Sequence, residues 1–91
     1  MTLMRPLPEI NPDVVHQRVG EDVVLVHLRT NQIFALNETG ARFWELFAGG
    51  ENRESIEATL QDEFDVQSAE LAKEIDELLA ALEREDIVRA A

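Results

Sequence analysis

The sequence predicts an α+β domain, a three-stranded antiparallel sheet followed by three helices. Short apolar and β-branched runs broken by turn residues fill 14–37, as strands require. After Leu36 the apolar spacing changes to three and four residues, the period of helices. A chain of 91 residues has apolar side chains for one core, so one site is sought.

Residues 1–13 hold all three prolines, Pro6, Pro8 and Pro12. Proline fixes φ and removes a backbone donor, so this segment reads as an extended N-terminal arm, and the domain is expected to span 14–91. The runs Val14 to Val19, Asp22 to Leu28 and Gln32 to Leu36 form a meander. Gly20 at the first central position suits a two-residue type II′ turn, which sets Val19 opposite Asp22 and Val15 opposite Val26.

In this register one sheet face carries Val15, Val19, Val24, Val26 and Leu28, and the other Val14, His16, Arg18, Val23, Leu25 and His27. Only the first is uniformly apolar, so it is expected to face the core, with the second half exposed. The third strand keeps two registers open. A four-residue and a three-residue turn before it send opposite side chains inward, and both Ile33/Ala35 and Phe34/Leu36 are apolar.

Asn37 caps a first helix through its side-chain oxygen, with Phe43, Trp44, Leu46 and Phe47 at helical spacing until Gly49-Gly50 stops it. Asn52 caps a second helix with Ile56, Leu60 and Phe64 on one side, ending near Asp65. Ser68 is expected to cap a third, whose stripe is Leu71, Ile75, Leu78, Leu79 and Leu82. Ile87 and Val88 close the core.

Catalytic chemistry finds little support. The chain has no cysteine, so it offers neither thiolate nucleophile nor disulfide. Ser55 and Ser68 are helix-start residues outside any GxSxG context. His16 and His27 are diagonal neighbours on one sheet face, yet lack a third ligand at recognisable spacing, and read as half-buried histidines. Asp76-Glu77 and Glu85-Asp86 point in different directions on a helix and read as solvated. Gly49-Gly50 lacks the lysine of a phosphate loop.

Nineteen acids face eight bases, a formal charge of -11. Residues 51 to 86 carry thirteen of those acids against Arg53, Lys73 and Arg84, which repels polyanions. A hairpin with three helices evokes a winged helix-turn-helix, but the third helix segment holds seven acids between Glu70 and Asp86. That argues against a phosphate-neutralising surface there and leaves a winged-helix DNA-binding regulator as the less favoured alternative. No signal sequence and no apolar run of spanning length is present, so a cytoplasmic location without membrane contact is expected.

An interface remains. In a meander the third strand has one unpaired edge, and Ile33-Phe34-Ala35-Leu36 lacks the charge, proline or bulge that usually protects one. Either a helix covers this edge or a foreign strand adds to it.

The segment from Gln32 to Leu46, with Leu36-Asn37, Gly40 and Trp44, resembles the PqqD-like family of RiPP recognition elements. Their hallmark is a short strand ending in Leu-Asn, a small residue three positions on, then an aromatic-rich helix. The likeness continues through Gly49-Gly50, Ile56, Leu60, Phe64 and Ile87-Val88, covering about residues 14 to 88. One departure is Asp86, where the family often has glycine.

The resemblance implies a non-catalytic domain that needs no cofactor. It would bind the leader of a ribosomally synthesised precursor peptide as a fourth strand, wedged against the third helix. The implied site is Gln32, Ile33, Phe34, Ala35 and Leu36 with Leu71, Ala72, Ile75 and Leu79, and Asp76 on the rim; Leu78 and Leu82 are assigned to the core. The chain looks most like the stand-alone leader-binding half of the split lasso-peptide B protein, which hands a leader carrying Tyr-x-x-Pro to a cysteine peptidase, with a macrolactam cyclase as a further partner. PqqD, which presents its peptide to a radical enzyme, is the close alternative. The acidic balance adds an expectation that the bound segment is basic.

Overall fold

The computed structural model describes residues 7–90. The element order is β1 (Glu9–Ile10), β2 (Val14–Val19), β3 (Asp22–His27), β4 (Gln32–Leu36), α1 (Glu38–Ala48), α2 (Arg53–Phe64), α3 (Ser68–Arg84) and β5 (Val88–Arg89). Strands β2, β3 and β4 form an antiparallel meander in that order, and β1 pairs antiparallel with β5 in a separate two-stranded ribbon. The expected three strands and three helices are therefore present, with this ribbon added.

The first hairpin has the expected register, Val19 opposite Asp22 and Val15 opposite Val26. Gly20, at φ +65°, takes the left-handed conformation that such a turn demands and that glycine adopts without a Cβ clash. The open register of the third strand is resolved by His27 pairing with Gln32, a four-residue connection. Asn31 there sits at φ 60°, which asparagine tolerates better than most residues. Phe34 and Leu36 consequently face the helices, and Ile33 and Ala35 face away.

The assignment of sheet faces is reversed. Val23, Leu25 and His27 are buried, whereas Val15, Val19 and Leu28 are exposed. Helix α1 lies against β3 and β4 on the face carrying Val23, Leu25, Phe34 and Leu36. Both faces of β3 are rich in valine and leucine, so the period of two did not discriminate. A polar group is tolerated inside when its hydrogen bonds are made, and His27 makes them. The two histidines, expected to be alike, also differ: His27 is 1% exposed, and His16 is exposed.

His27 belongs to a buried polar knot. Its Nδ1 accepts from the backbone N–H of Arg29 at 3.3 Å, so in the neutral ring the proton sits on Nε2, 3.3 Å from Asp86 Oδ2, and is donated there. Asn11 Nδ2 donates to the Asp86 carbonyl at 2.8 Å and to Oδ2 at 3.1 Å. Asn11 Oδ1 accepts from the Asp13 N–H at 3.0 Å.

This knot corrects the N-terminal boundary. Residues 1–6 of the expected arm lie outside the described residues, but Glu9 and Ile10 pair with Arg89 and Val88, and Asn11 is fully buried. The fold therefore begins ahead of Val14. Pro8 and Pro12 flank this two-residue strand, positions at which a missing N–H costs no ladder bond.

The helix ends follow from local chemistry. The Asn37 and Asn52 side chains accept from the N–H groups of Gly40 and Ser55, as N-caps do. Ser68 is instead the first residue of α3, whose cap is Gln67 with no side-chain bond. Helix α1 closes with Gly50 N–H bonded to the Phe47 carbonyl and Glu51 N–H to the Leu46 carbonyl. Helix α3 ends identically: Asp86 N–H bonds to Glu83 O and Ile87 N–H to Leu82 O, the two bonds of a Schellman cap. The left-handed position is Gly50 in one and Asp86, at φ 59°, in the other.

The core joins Val23, Leu25 and Leu36 of the sheet to Phe43, Trp44 and Phe47 of α1, Ile56 and Leu60 of α2, and Leu71, Ile75 and Leu82 of α3. Phe43 and Phe47 stack with centroids 5.6 Å apart, and Trp44 meets Phe47 edge-on at 5.7 Å. Trp44 is buried with no hydrogen-bond partner for Nε1. The His16 ring lies edge-on to it at 6.2 Å.

Candidate functional site

Strand β4 is an edge strand whose sheet neighbour is β3 alone among the described residues. Hydrogen-bonding direction along it follows from alternation. A two-residue hairpin closes on a mutually bonded pair, here Val19 and Asp22, so residues 22, 24 and 26 bond to β2, and 23, 25 and 27 turn to β4. Their partners are Leu36, Phe34 and Gln32. The N–H and C=O groups of Ile33 and Ala35 are thus left facing the open edge.

Across from this edge runs α3, which packs against α2 and β5. Between them lies a cavity of about 500 Å³ lined by Ala35, Leu36, Asn37, Thr39, Gly40, Phe43, Leu60, Leu71, Glu74, Ile75, Glu77 and Leu78. Its floor is apolar. Its rim carries two carboxylates from α3 and the capping segment of α1.

Of the residues picked from the sequence, the cavity brings together Ala35, Leu36, Leu71 and Ile75. Gln32, Ile33 and Phe34 stand further along the same strand, with Ile33 turned to the outer sheet face. Ala72, Asp76 and Leu79 are not among the lining residues; Leu79 packs partly buried against the core. Asp76 Oδ1 is held by Arg53 Nη1 at 2.6 Å, and the Ala72 carbonyl by Arg53 Nη2 at 3.1 Å. Those two turn toward α2. Although burial opposes its charge, bonds to Glu57 and Asp76 hold the Arg53 guanidinium above its ordinary pKa, so it fastens α2 to α3 as a permanent cation.

Leu78, assigned to the core, is only partly buried and lines the cavity, while Leu82 is a core residue. The sequence reading missed Glu74, Glu77 and Phe43 as lining residues. A signal existed for α3: Leu71, Glu74, Ile75 and Leu78 follow the three- and four-residue spacing of one helix face. Among the described residues no three His, Asp or Glu side chains gather in a metal-holding group.

Comparison with known proteins adds a second line. The model of the family described as "Coenzyme PQQ synthesis protein D (PqqD)" matches residues 22–88. The chain belongs to the PqqD family. A solved structure, "TbiB1 in Complex with the TbiA(beta) Leader Peptide", superposes with a TM-score of 0.86 at 28% identity, covering 91% of this chain and 96% of that one. No curated protein matches. In this PqqD-family chain the strand-to-helix junction falls at Leu36-Asn37, where Asn37 is the cap of α1.

Proposed function

We propose that this protein binds the leader segment of a ribosomally synthesised precursor peptide as an added strand on β4, against α3. It then delivers that leader to a cysteine leader peptidase in lasso-peptide biosynthesis. The observation that carries the reading is the vacant row of Ile33 and Ala35 backbone groups beside an apolar cavity, in a fold that superposes on a leader-bound complex. Main-chain bonds to the edge supply affinity, and side-chain pockets select sequence. A leader with Tyr-x-x-Pro would place its rings over Leu36, Leu71, Ile75 and Leu78. The protein itself acts as a cofactor-free adaptor in the cytoplasm, and no helix among the described residues is long and apolar enough to cross a membrane.

Glu74 and Glu77 on the rim, within a chain of net charge -11, favour a leader that is basic near its bound segment. A second reading, presentation of a peptide to a radical enzyme in the manner of PqqD, is favoured by the description of the matching family. The two readings share the β4 edge and differ in the recipient. Fluorescence anisotropy with a labelled leader peptide tests the shared step. Saturable binding lost on Ala35→Pro is the expected result, and wild-type protein that leaves the peptide unbound overturns the proposal. Mixing the complex with the peptidase or with the radical enzyme then separates the readings by which one acts on the bound peptide.

A further inference from the structure

The cavity wall contributed by α3 is gripped from behind. Leu71, Glu74, Ile75 and Leu78 line the cavity, and at about 100° per residue Ala72 and Asp76 stand about 130° round the helix from the centre of that group. On this far flank Arg53, the first residue of α2, donates from Nη2 to the Ala72 carbonyl at 3.1 Å and from Nη1 to Asp76 Oδ1 at 2.6 Å. Its Nε donates to Glu57 Oε2, one turn along α2, at 2.7 Å. The guanidinium is thus buttressed by α2 and holds one turn of α3. Its side chain is only 19% exposed, so water competes weakly for bonds whose directions the rigid fork fixes.

Little else directs this part of α3. Among the described residues no other hydrogen bond joins the helix between Ser68 and Leu78 to another element, and its N-cap, Gln67, makes no side-chain bond. The other anchors there are Leu71 and Ile75, which share the core with Ile56 and Leu60 of α2. Apolar burial is non-directional, so it holds the helix down without fixing its rotation or height. The C-terminal end differs, because the Asp86 knot and the β1–β5 ribbon tie it to β3 and to the N-terminal strand. The groove beside β4 therefore runs along the half of α3 whose one directional tie is Arg53. A site keeps its affinity only where supporting contacts hold its walls to within about 0.5 Å.

Resting on the proposed leader binding, we infer that Arg53 is a positioning residue for the leader: by pinning Ala72 and Asp76 it fixes the rotation and height of α3 on α2, and with them the width of the groove between α3 and the β4 edge. Arg53 touches no part of the leader. It holds the wall in place before the leader arrives, so that binding does not have to order it. This role runs against charge. Loss of a cation beside an acidic rim strengthens the field that draws in a basic leader, whereas loss of the grip lets the wall shift and weakens the bound state. The two causes give opposite signs for one substitution.

The test uses the full chain and the labelled leader peptide, titrated by anisotropy. Arg53→Met should raise the leader Kd about 10-fold. Arg42→Met removes the same charge from an ion pair with Glu63 that joins α1 to α2 and leaves α3 alone, and it should bind the leader at least as tightly as wild type. Asp76→Ala should also raise Kd, and Arg53→Met/Asp76→Ala should raise it no further than Arg53→Met, because both changes act through one contact. Unfolding would lower the amplitude of the titration and leave its midpoint in place, so the midpoint is the decisive reading. Where Arg53→Met does not fold, Arg53→Lys, which keeps the charge and loses the fork, carries the comparison with an expected loss of about 3-fold or more. Arg53 variants that bind as tightly as Arg42→Met overturn the inference and leave leader binding standing. So does an Arg42→Met protein as weak as Arg53→Met, which assigns the loss to charge. Wild-type protein that leaves the peptide unbound removes the underlying reading, and the inference with it.

Discussion

Asp86 concentrates several constraints on one side chain. It occupies a left-handed backbone position where L-residues other than glycine, asparagine and aspartate are disfavoured. Its carboxylate meanwhile bonds to Arg89, to His27 and to Asn11. The Arg89 guanidinium first, and the His27 bond second, hold that carboxyl below the usual aspartate range. A depressed folded-state pKa contributes stability that is complete above the unfolded value and is lost as pH falls through the folded one. Urea midpoints measured from neutral pH down through the carboxylate range should therefore fall for the wild type, and fall less for Asp86→Gly, which keeps the turn and lacks the carboxylate. Asp86→Ala, which loses both, should be less stable than Asp86→Gly at neutral pH. Asn11→Ala leaves the Asp13 N–H without its acceptor and the Asp86 carbonyl without its donor in a buried site, and should cost about 1–3 kcal/mol in denaturant unfolding. Leu78 and Leu82 separate packing from binding. Leu82→Ala should cost about 2–5 kcal/mol, whereas Leu78→Ala, at the cavity wall, should lose less stability and weaken leader binding instead, as paired denaturation and anisotropy measurements would record.

At the scale of elements, proline scanning of β4 reads the hydrogen-bonding pattern directly. Ala35→Pro removes an N–H that faces the open edge, so thermal unfolding should change little and leader affinity should collapse. Phe34→Pro removes one that bonds Leu25, its partner in the ladder, and should unfold the domain. Equal loss of stability in both variants would show that the alternation has been assigned to the wrong residues. The strands, turns and helix caps behind this prediction were legible in the sequence because each rests on local chemistry: Gly20 for the hairpin, Asn37 and Asn52 for the caps, Gly50 for the stop. What was not legible depended on distant partners. The sheet's core face could not be chosen from a strand whose two faces are both apolar, and His27 argued for the wrong one, since its partner Asp86 lies 59 residues away. The β1–β5 ribbon escaped notice because two residues at each end carry no period. Within the site, the α3 face could be seen as a stripe, but the division between cavity wall and core, and the capture of Asp76 by Arg53, required the packing of α2.

On the scale of the whole molecule, charge is distributed with a direction. The helical half from 51 to 86 carries thirteen acids against Arg53, Lys73 and Arg84, and four bases of the chain are committed to ion pairs with its carboxylates or its neighbours': Arg42 to Glu63, Arg53 to Glu57 and Asp76, Arg89 to Asp86, Arg18 to Glu45. Glu74 and Glu77 remain on the cavity rim facing the β4 edge. A peptide approaching that edge meets a negative field before it makes any hydrogen bond, which speeds encounter for basic segments and slows it for acidic ones. The field decays over about 10 Å at 0.1 M salt and about 3 Å at 1 M, whereas backbone ladder bonds and apolar contacts are not screened in this way. Raising salt across that range should therefore lower the association rate for a basic leader several-fold and leave the dissociation rate nearly constant, as stopped-flow anisotropy would resolve. Replacing both rim carboxylates, Glu74→Gln with Glu77→Gln, should flatten the salt dependence without abolishing binding. Rates indifferent to salt in the wild type would mean that the charge serves solubility and that leader choice rests on the apolar pockets alone.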